Sequence, residues 1–258
     1  MTTKFEEIEN ESGRKMLIEV GIANTLLDIY EKRRFYILAS HSSNDVKQYL
    51  LKLKPFKLLI KLLEHKNIDV IGDSISAILN NLQIKSRSQS LKDSQQLFKK
   101  LNEFGGVGKI FEIFKNKLNK YITDRASLCI GYLYRSREIA DPQMRSDVIY
   151  HILSLFNDET LNDKAKYAMI FLIQNDVNLT EITKEEELQQ ITQNLQLPIE
   201  VKEEESILNI HKQEIRLTLL TSILEQQTDN KLRKQIIEAG IVQQLIHIFE
   251  TRNIDQIQ

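Results

Sequence analysis

From Leu17 to Tyr30 the chain reads LIEVGIANTLLDIY, and from Ile236 to Phe249 it reads IIEAGIVQQLIHIF. Both run apolar, apolar, Glu, apolar, Gly and apolar, then close on Leu-apolar-x-Ile-aromatic at the same offsets. Apolar positions recur at the helical period on each side of the Gly, so two helices are expected to meet there. A tight helix–helix corner needs a backbone without a Cβ, which is what Gly supplies. A third copy, FGGVGKIFEIF from Phe104 to Phe114, puts Gly105 at the equivalent place. Two weaker copies lack the Gly: KPFKLLIKLL from Lys54 and DVIYHILSLF from Asp147.

These copies repeat about every 44 residues, with one degenerate copy expected near Glu185 to Leu195. A second pattern follows them: IGDSISAILNNL (71–82), ITDRASLCIGYL (122–133), LNDKAKYAMIFL (161–172) and, more faintly, QEIRLTLLTSIL (213–224). Apolar or small residues at offsets of four, seven and eight predict a longer helix buried on one broad face. Asp73, Asp124 and Asp163 are expected in its first turn, where a carboxylate meets the positive helix end. Each unit is therefore a Gly-cornered helix pair followed by a third helix, and the fold class is all-α, an α-solenoid.

The motif IIEAGIVQQLIHIF, with its partner LIEVGIANTLLDIY, resembles the second-helix motif of armadillo repeats, and IGDSISAILNNL is similar to their third-helix motif. The resemblance runs from about residue 15 to 258. It implies a right-handed superhelical solenoid of about five to six armadillo-like repeats. HEAT-like repeats share much of the pattern. It also implies a concave face lined by the third helices, where members such as importin-α and β-catenin hold extended peptides. In importin-α an Asn near the end of that helix holds the peptide backbone, and a Trp one turn earlier stacks on basic side chains. Registering the copies places Ala77 and Asn81, Leu128 and Tyr132, Tyr167 and Phe171, and Leu217 and Thr221 at these paired positions. Only Asn81 matches the Asn, and the chain has no Trp. The ladder offers aromatics instead, Tyr132, Tyr167 and Phe171, flanked by Arg125 and Arg135. The expected partner-binding set is Asn81, Tyr132, Arg135, Tyr167 and Phe171, facing an extended peptide or a helix of another protein.

Composition narrows the class. With 8 Gly and 3 Pro in 258 residues there are too few turn formers for an all-β sandwich, and 1 Cys excludes a disulfide scaffold. The N-terminus, MTTKFEEIENESGRK, shows neither a secretory nor a mitochondrial leader, and no run of apolar residues is long enough to span a bilayer. The expected compartment is cytoplasmic or nuclear, with no membrane partner. Residues 1–14 read as a flexible segment and 15–258 as a single repeat domain. The Ser-rich KSRSQSLKDS (85–94) reads as an exposed loop within it. Asp141 and Pro142 read as an N-cap and first helical residue, Pro198 as a helix stop, and Thr183 with Glu186 as a capping box.

Catalytic and metal signatures are weak. The five His residues (41, 65, 151, 211 and 247) have no metal-ligand spacing. Cys129 aligns with Ile78 and Ala168 on third helices and reads as a packed core thiol. The run Gly105-Gly106-Val107-Gly108 lacks the preceding strand and the Lys-Ser/Thr ending of a phosphate loop. No enzyme activity, cofactor, metal or small-molecule substrate is expected. Net charge is -1, but residues 51–150 hold 18 basic against 10 acidic side chains, and 151–258 hold 10 against 18. The functional expectation is a non-catalytic protein–protein interaction scaffold. Two alternatives stay open: an importin-α-like nuclear transport adaptor, and nucleic-acid binding through the basic region 51–150.

Overall fold

A computed structural model describes residues 56–88, 91–198, 203–226 and 230–251. The copy around Gly21, the segment 1–14 and Pro55 lie outside these residues. Every regular element among the described residues is helical. The chain divides after Arg135 into two compact units.

The first unit contains α1 (Phe56–Leu62), α2 (Ile68–Ser88), α3 (Leu91–Glu103), α4 (Gly106–Asn116) and α5 (Lys120–Leu133). In the repeat register α1 and α4 are second helices, α2 and α5 third helices, and α3 a first helix. The α3–α4 corner forms because Gly105 adopts a φ of 70°, which costs a Cβ-bearing residue steric strain. Gly106 then lets α4 press onto α1: a Cβ there would lie 2.5 Å from Ile60 Cδ1 and 3.0 Å from the Leu101 carbonyl. Asn119 caps α5, accepting the Ile122 N–H at 2.8 Å. Helix α5 packs on both α2 and α4. Leu59, Ile75, Ile78, Leu101, Ile110, Ile122, Leu128 and Ile130 are fully buried in this core. Burial of each contributes about 1.5–3 kcal/mol before entropy is counted.

The third helices of this unit also bury polar side chains. Ser74 and Ser76 donate to the carbonyls of Val70 and Gly72, each at 2.7 Å. A hydroxyl satisfied by its own helix can enter the core at little cost. Two expectations change here. The loop expected at 85–94 is largely helical: α2 continues through Ser88 and α3 begins at Leu91, with residues 89 and 90 outside the described set. That stretch has no Gly or Pro to stop a helix, and polar composition alone does not break one. Asp73 and Asp124 lie beyond the first turn, because α2 starts at Ile68 and α5 at Lys120. Asp163 does occupy a first turn.

The second unit contains α6 (Pro142–Ser154), a 3-10 turn (Leu155–Asn157), α7 (Asn162–Leu172), α8 (Asp176–Ile182), α9 (Glu185–Leu195), α10 (Glu203–Gln226), α11 (Asn230–Glu238) and α12 (Ile241–Thr251). Helix α9 supplies the degenerate second-helix copy expected at 185–195, and Gly240, with a φ of 78°, turns the α11–α12 corner. Asp141 caps α6 by accepting the Met144 N–H at 2.7 Å, with Pro142 at the first turn. No capping box forms at α9. Thr183 instead donates to the Leu179 carbonyl at 2.9 Å, which closes α8.

The α6–α7 repeat has no first helix. Residues 137–140 run irregularly in its place, held by Asn178, whose side chain is fully buried. Asn178 Oδ1 accepts the Ile139 N–H at 3.1 Å, and its Nδ2 donates to the Arg137 carbonyl at 2.7 Å. Arg145 adds a bond to the Ile139 carbonyl at 2.8 Å. Side chains thus satisfy backbone groups that a helix would pair internally.

Candidate functional site

In a stack of helical repeats the third helices form one ladder, and its open side is the natural binding surface. In the first unit that surface is nearly closed. Helix α2 is buried from Val70 to Leu79, and α5 from Ile122 to Leu133 except at Arg125. Asn81, only 1% exposed, donates from Nδ2 to the Ala77 carbonyl of its own helix at 2.8 Å. Tyr132 is buried between neighbouring helices, and Ala77 and Leu128 are fully buried. Arg135, just beyond α5, is half-buried, and desolvation lowers its pKa from the ordinary guanidinium range.

At the start of α5 an aromatic–cation pair does reach solvent. The Tyr121 hydroxyl lies 2.9 Å from Ser76 Oγ, and the Arg125 guanidinium sits 3.4 Å from the Tyr121 ring centroid. Arg125 also donates to the Tyr121 carbonyl at 3.1 Å. The ring and carbonyl together hold the guanidinium in place.

The third helices of the second unit are more open. Helix α7 buries Ala165, Ala168, Met169, Phe171 and Leu172, but leaves Asp163, Lys166, Tyr167 and Ile170 at least partly exposed. Spacings of three and four put these four on one stripe. Lys166 Nζ bonds Asp163 at 3.1 Å and lies 5.6 Å from the Tyr167 ring centroid. Helix α10 packs against α7 and leaves Glu214, Leu217, Thr218 and Thr221 open along its outer side. Asn162 Nδ2, at the start of α7, and His211 Nε2, in the middle of α10, are hydrogen-bonded. Beneath this surface Arg216 is buried, 4.9 Å from the Phe156 ring centroid.

No protein-family model and no curated relative matches this sequence. Solved structures do resemble it. A designed armadillo repeat protein in complex with the peptide (KR)4 superposes with a TM-score of 0.55 at 16% identity, over 86% of this chain and 90% of that one. Computationally designed armadillo repeat proteins for modular peptide recognition give 0.54 at 17% identity, over 86% of each chain. Another designed armadillo repeat protein gives 0.55 at 14%, over 85% and 90%. The fold is that of an armadillo-like solenoid.

Within that armadillo-like fold, the four paired ladder positions divide by unit. Ala77 with Asn81 and Leu128 with Tyr132 are buried. Tyr167 and Leu217 are partly open and Thr221 is exposed, while Phe171 is buried. Of the five expected contact residues, Tyr167 and Arg135 reach the surface, and Asn81, Tyr132 and Phe171 pack beneath it. Lys166, Ile170 and Thr218 join Tyr167, Leu217 and Thr221 on the open strip. The armadillo register named Tyr167, Leu217 and Thr221, and the helical spacing along α7 and α10 adds Lys166, Ile170 and Thr218.

Cys129 is fully buried, with Sγ 3.8 Å from the Ile75 carbonyl, and burial raises its thiol pKa far above the ordinary range. That environment suppresses the thiolate. Among the described residues no group of three or more His, Cys, Asp or Glu side chains converges in a way that could hold a metal, and no helix is long and apolar enough to cross a membrane.

Proposed function

We propose that the protein is a non-catalytic interaction module whose third-helix face holds an extended segment or a helix of another protein. The observation that carries this reading is the open strip on α7 and α10: Tyr167, Ile170 and Leu217 supply apolar contact, with Lys166, Thr218 and Thr221 around them. Aromatic residues in such positions dominate binding energy. Phe171 is buried one turn along from Tyr167, as Asn81 and Tyr132 are buried in the first unit, where Arg125 and Arg135 both reach solvent. The fold is shared with designed scaffolds described as made for modular peptide recognition, which fits the same reading. An importin-α-like adaptor role draws less support, because Asn81 spends its amide on Ala77.

Selection of random twelve-residue peptides on the immobilised chain, followed by anisotropy titration of the winners, tests the proposal. Tyr167→Ala with Thr221→Lys is expected to weaken the selected peptides at least tenfold, about 1.4 kcal/mol, with the melting temperature held within a few degrees. Winners that bind both proteins equally would place the site elsewhere. A (Lys-Arg)4 peptide and a single-stranded RNA run in the same assay discriminate the adaptor and nucleic-acid readings, since RNA binding through the basic region 51–150 would fall steeply with salt.

A further inference from the structure

Helix α5 holds the Arg125 guanidinium in a fixed position at the surface of the first unit. The guanidinium carbon lies 3.4 Å from the centroid of the Tyr121 ring, and Nη1 donates to the Tyr121 carbonyl at 3.1 Å. The ring is itself anchored. Ser76 donates its hydroxyl proton to the Gly72 carbonyl at 2.7 Å, so its Oγ accepts from the Tyr121 hydroxyl 2.9 Å away. The ring edge also runs along α2, with Cε1 3.4 Å from where a Gly72 Cβ would stand. A chain of contacts from the buried face of α2 thus ends on a cation at the solvent boundary.

Ordering a long Arg side chain costs rotamer freedom, and a carboxylate is the acceptor that best completes a guanidinium's donor set. Neighbouring cations follow that pattern: Lys109 pairs with Glu64 and Glu112 at 3.3 and 2.8 Å, and Lys120 with Asp124 at 2.7 Å. Arg125 does not. Among the described residues no carboxylate pairs with it, and its Nε and Nη2 hydrogens have no protein acceptor. Asp124, next to it in sequence, is buried and bonded to Lys120. The surroundings are basic as well. Residues 56–135 hold 14 Lys and Arg against 7 Asp and Glu, and Lys115 and Lys117 are exposed at the corner before α5. A field of that sign concentrates acidic ligands, and an oriented planar fork binds a carboxylate through two parallel bonds.

We propose that Arg125, stacked on Tyr121, is the contact point for an Asp or Glu side chain in an acidic segment of a partner protein. The segment's carboxylate takes the open Nε and Nη2 hydrogens, and its other acidic residues meet the basic corner between α4 and α5. A protein segment fits better than a nucleic acid. Single-stranded nucleic acids are held by stacking bases on open aromatic faces, and here the ring face carries Arg125. The site lies in the first unit and stands independently of the α7–α10 strip.

The probe is a fluorescein-labelled (Glu-Ser)6 peptide, titrated by anisotropy against the whole chain in about 50 mM salt. Binding with a Kd of roughly 100 μM is expected, and (Gln-Ser)6 should not bind. Arg125→Lys should weaken the acidic peptide about fivefold, because an ammonium keeps the charge and loses the fork. Tyr121→Leu, which frees the guanidinium, should weaken it about threefold. Lys117→Gln should stay within about twofold, and Tyr167→Ala should leave binding unchanged. In the unsubstituted chain the Arg125 Nε–Hε resonance should shift as the peptide is added, a readout that no folding defect can imitate. Absence of binding at about 1 mM peptide overturns the proposal. Equal affinity of the parent and Arg125→Lys does the same, as does an Arg125 resonance that stays put at saturation. A loss in Lys117→Gln as large as in Arg125→Lys also overturns it, by reducing the effect to the general field. Tighter, Arg125-dependent binding of oligouridylate overturns it by assigning the fork to phosphate.

Discussion

Replacing Asn178 by Ala removes the side chain that pairs two backbone groups of the irregular segment before α6. Its Oδ1 accepts the Ile139 N–H and its Nδ2 donates to the Arg137 carbonyl, at 3.1 and 2.7 Å. A third bond, to the Leu172 carbonyl at 3.4 Å, is too long to count for much. Truncation strands one buried donor and leaves one carbonyl short of a partner. Each unpaired buried group costs about 1–3 kcal/mol, so the total expected loss is about 2–6 kcal/mol. For a chain of this size a loss of 1 kcal/mol lowers the melting temperature by about 2–4 °C, which gives a fall of about 4–24 °C. Circular dichroism melting of the whole chain measures the shift, and amide exchange at Ile139 reports the local opening. Asn178→Asp sharpens the test. Its carboxylate can still accept from Ile139, but it faces the Arg137 carbonyl with a second acceptor, so the folded state favours the protonated acid. Its folded pKa then lies above the unfolded value, and the variant should be closer to the parent near pH 4 and lose ground as pH rises towards 7. A melting shift under 3 °C in Asn178→Ala, with Ile139 still protected, would refute the assignment of Asn178 as the clamp.

Three glycines within four residues should respond differently to Ala, as read by urea denaturation. Gly105→Ala meets open space but a φ of 70°, and should cost about 1–2 kcal/mol. Gly106→Ala meets Ile60 and the Leu101 carbonyl, and should cost about 1–3 kcal/mol through overpacking. Gly108→Ala has nothing within 4 Å and lies inside α4, so it should stabilise by about 0.5–1 kcal/mol. Asp141→Ala removes the cap of α6 and should cost about 1 kcal/mol in the same measurement. Cys129 should not react with a chromogenic disulfide reagent at pH 8 until the chain unfolds, and reaction in seconds under native conditions would contradict its burial.

Much of the repeat was legible because its signals are steric. A φ near 70° is cheap only without a Cβ, so Gly105 and Gly240 announce their corners. Pro142 behind Asp141 announces a helix start in the same way. Period alone located α9. Burial around a helix was harder to read. Periodicity shows that α5 has one apolar face, but not that neighbours cover its other sides, so Tyr132 looked as available as Tyr167. Polar letters misled for a related reason: Ser74, Ser76 and Asn81 satisfy themselves on carbonyls four residues back, and therefore pack where apolar residues would. Thr183 makes the same kind of bond, which removes it from the capping box its spacing suggested.

Helix α10 begins at Glu203, ten residues ahead of the motif at Gln213 that marks it as a third helix. The extension carries Asn209, which donates to the Pro198 carbonyl at 2.7 Å, and ends at Gln213, which donates to the carbonyls of Leu195 and Leu197 at 3.3 and 2.9 Å. The last turn of α9 closes locally, through the Gln196 and Leu197 N–H groups, while the Leu195 carbonyl and the two carbonyls at 197 and 198 are held by amides made later in the chain. Peeling α10 away therefore strands those three carbonyls, so the turn at 195–198 is expected to loosen together with the N-terminal half of α10, whatever the length of the sequence repeat.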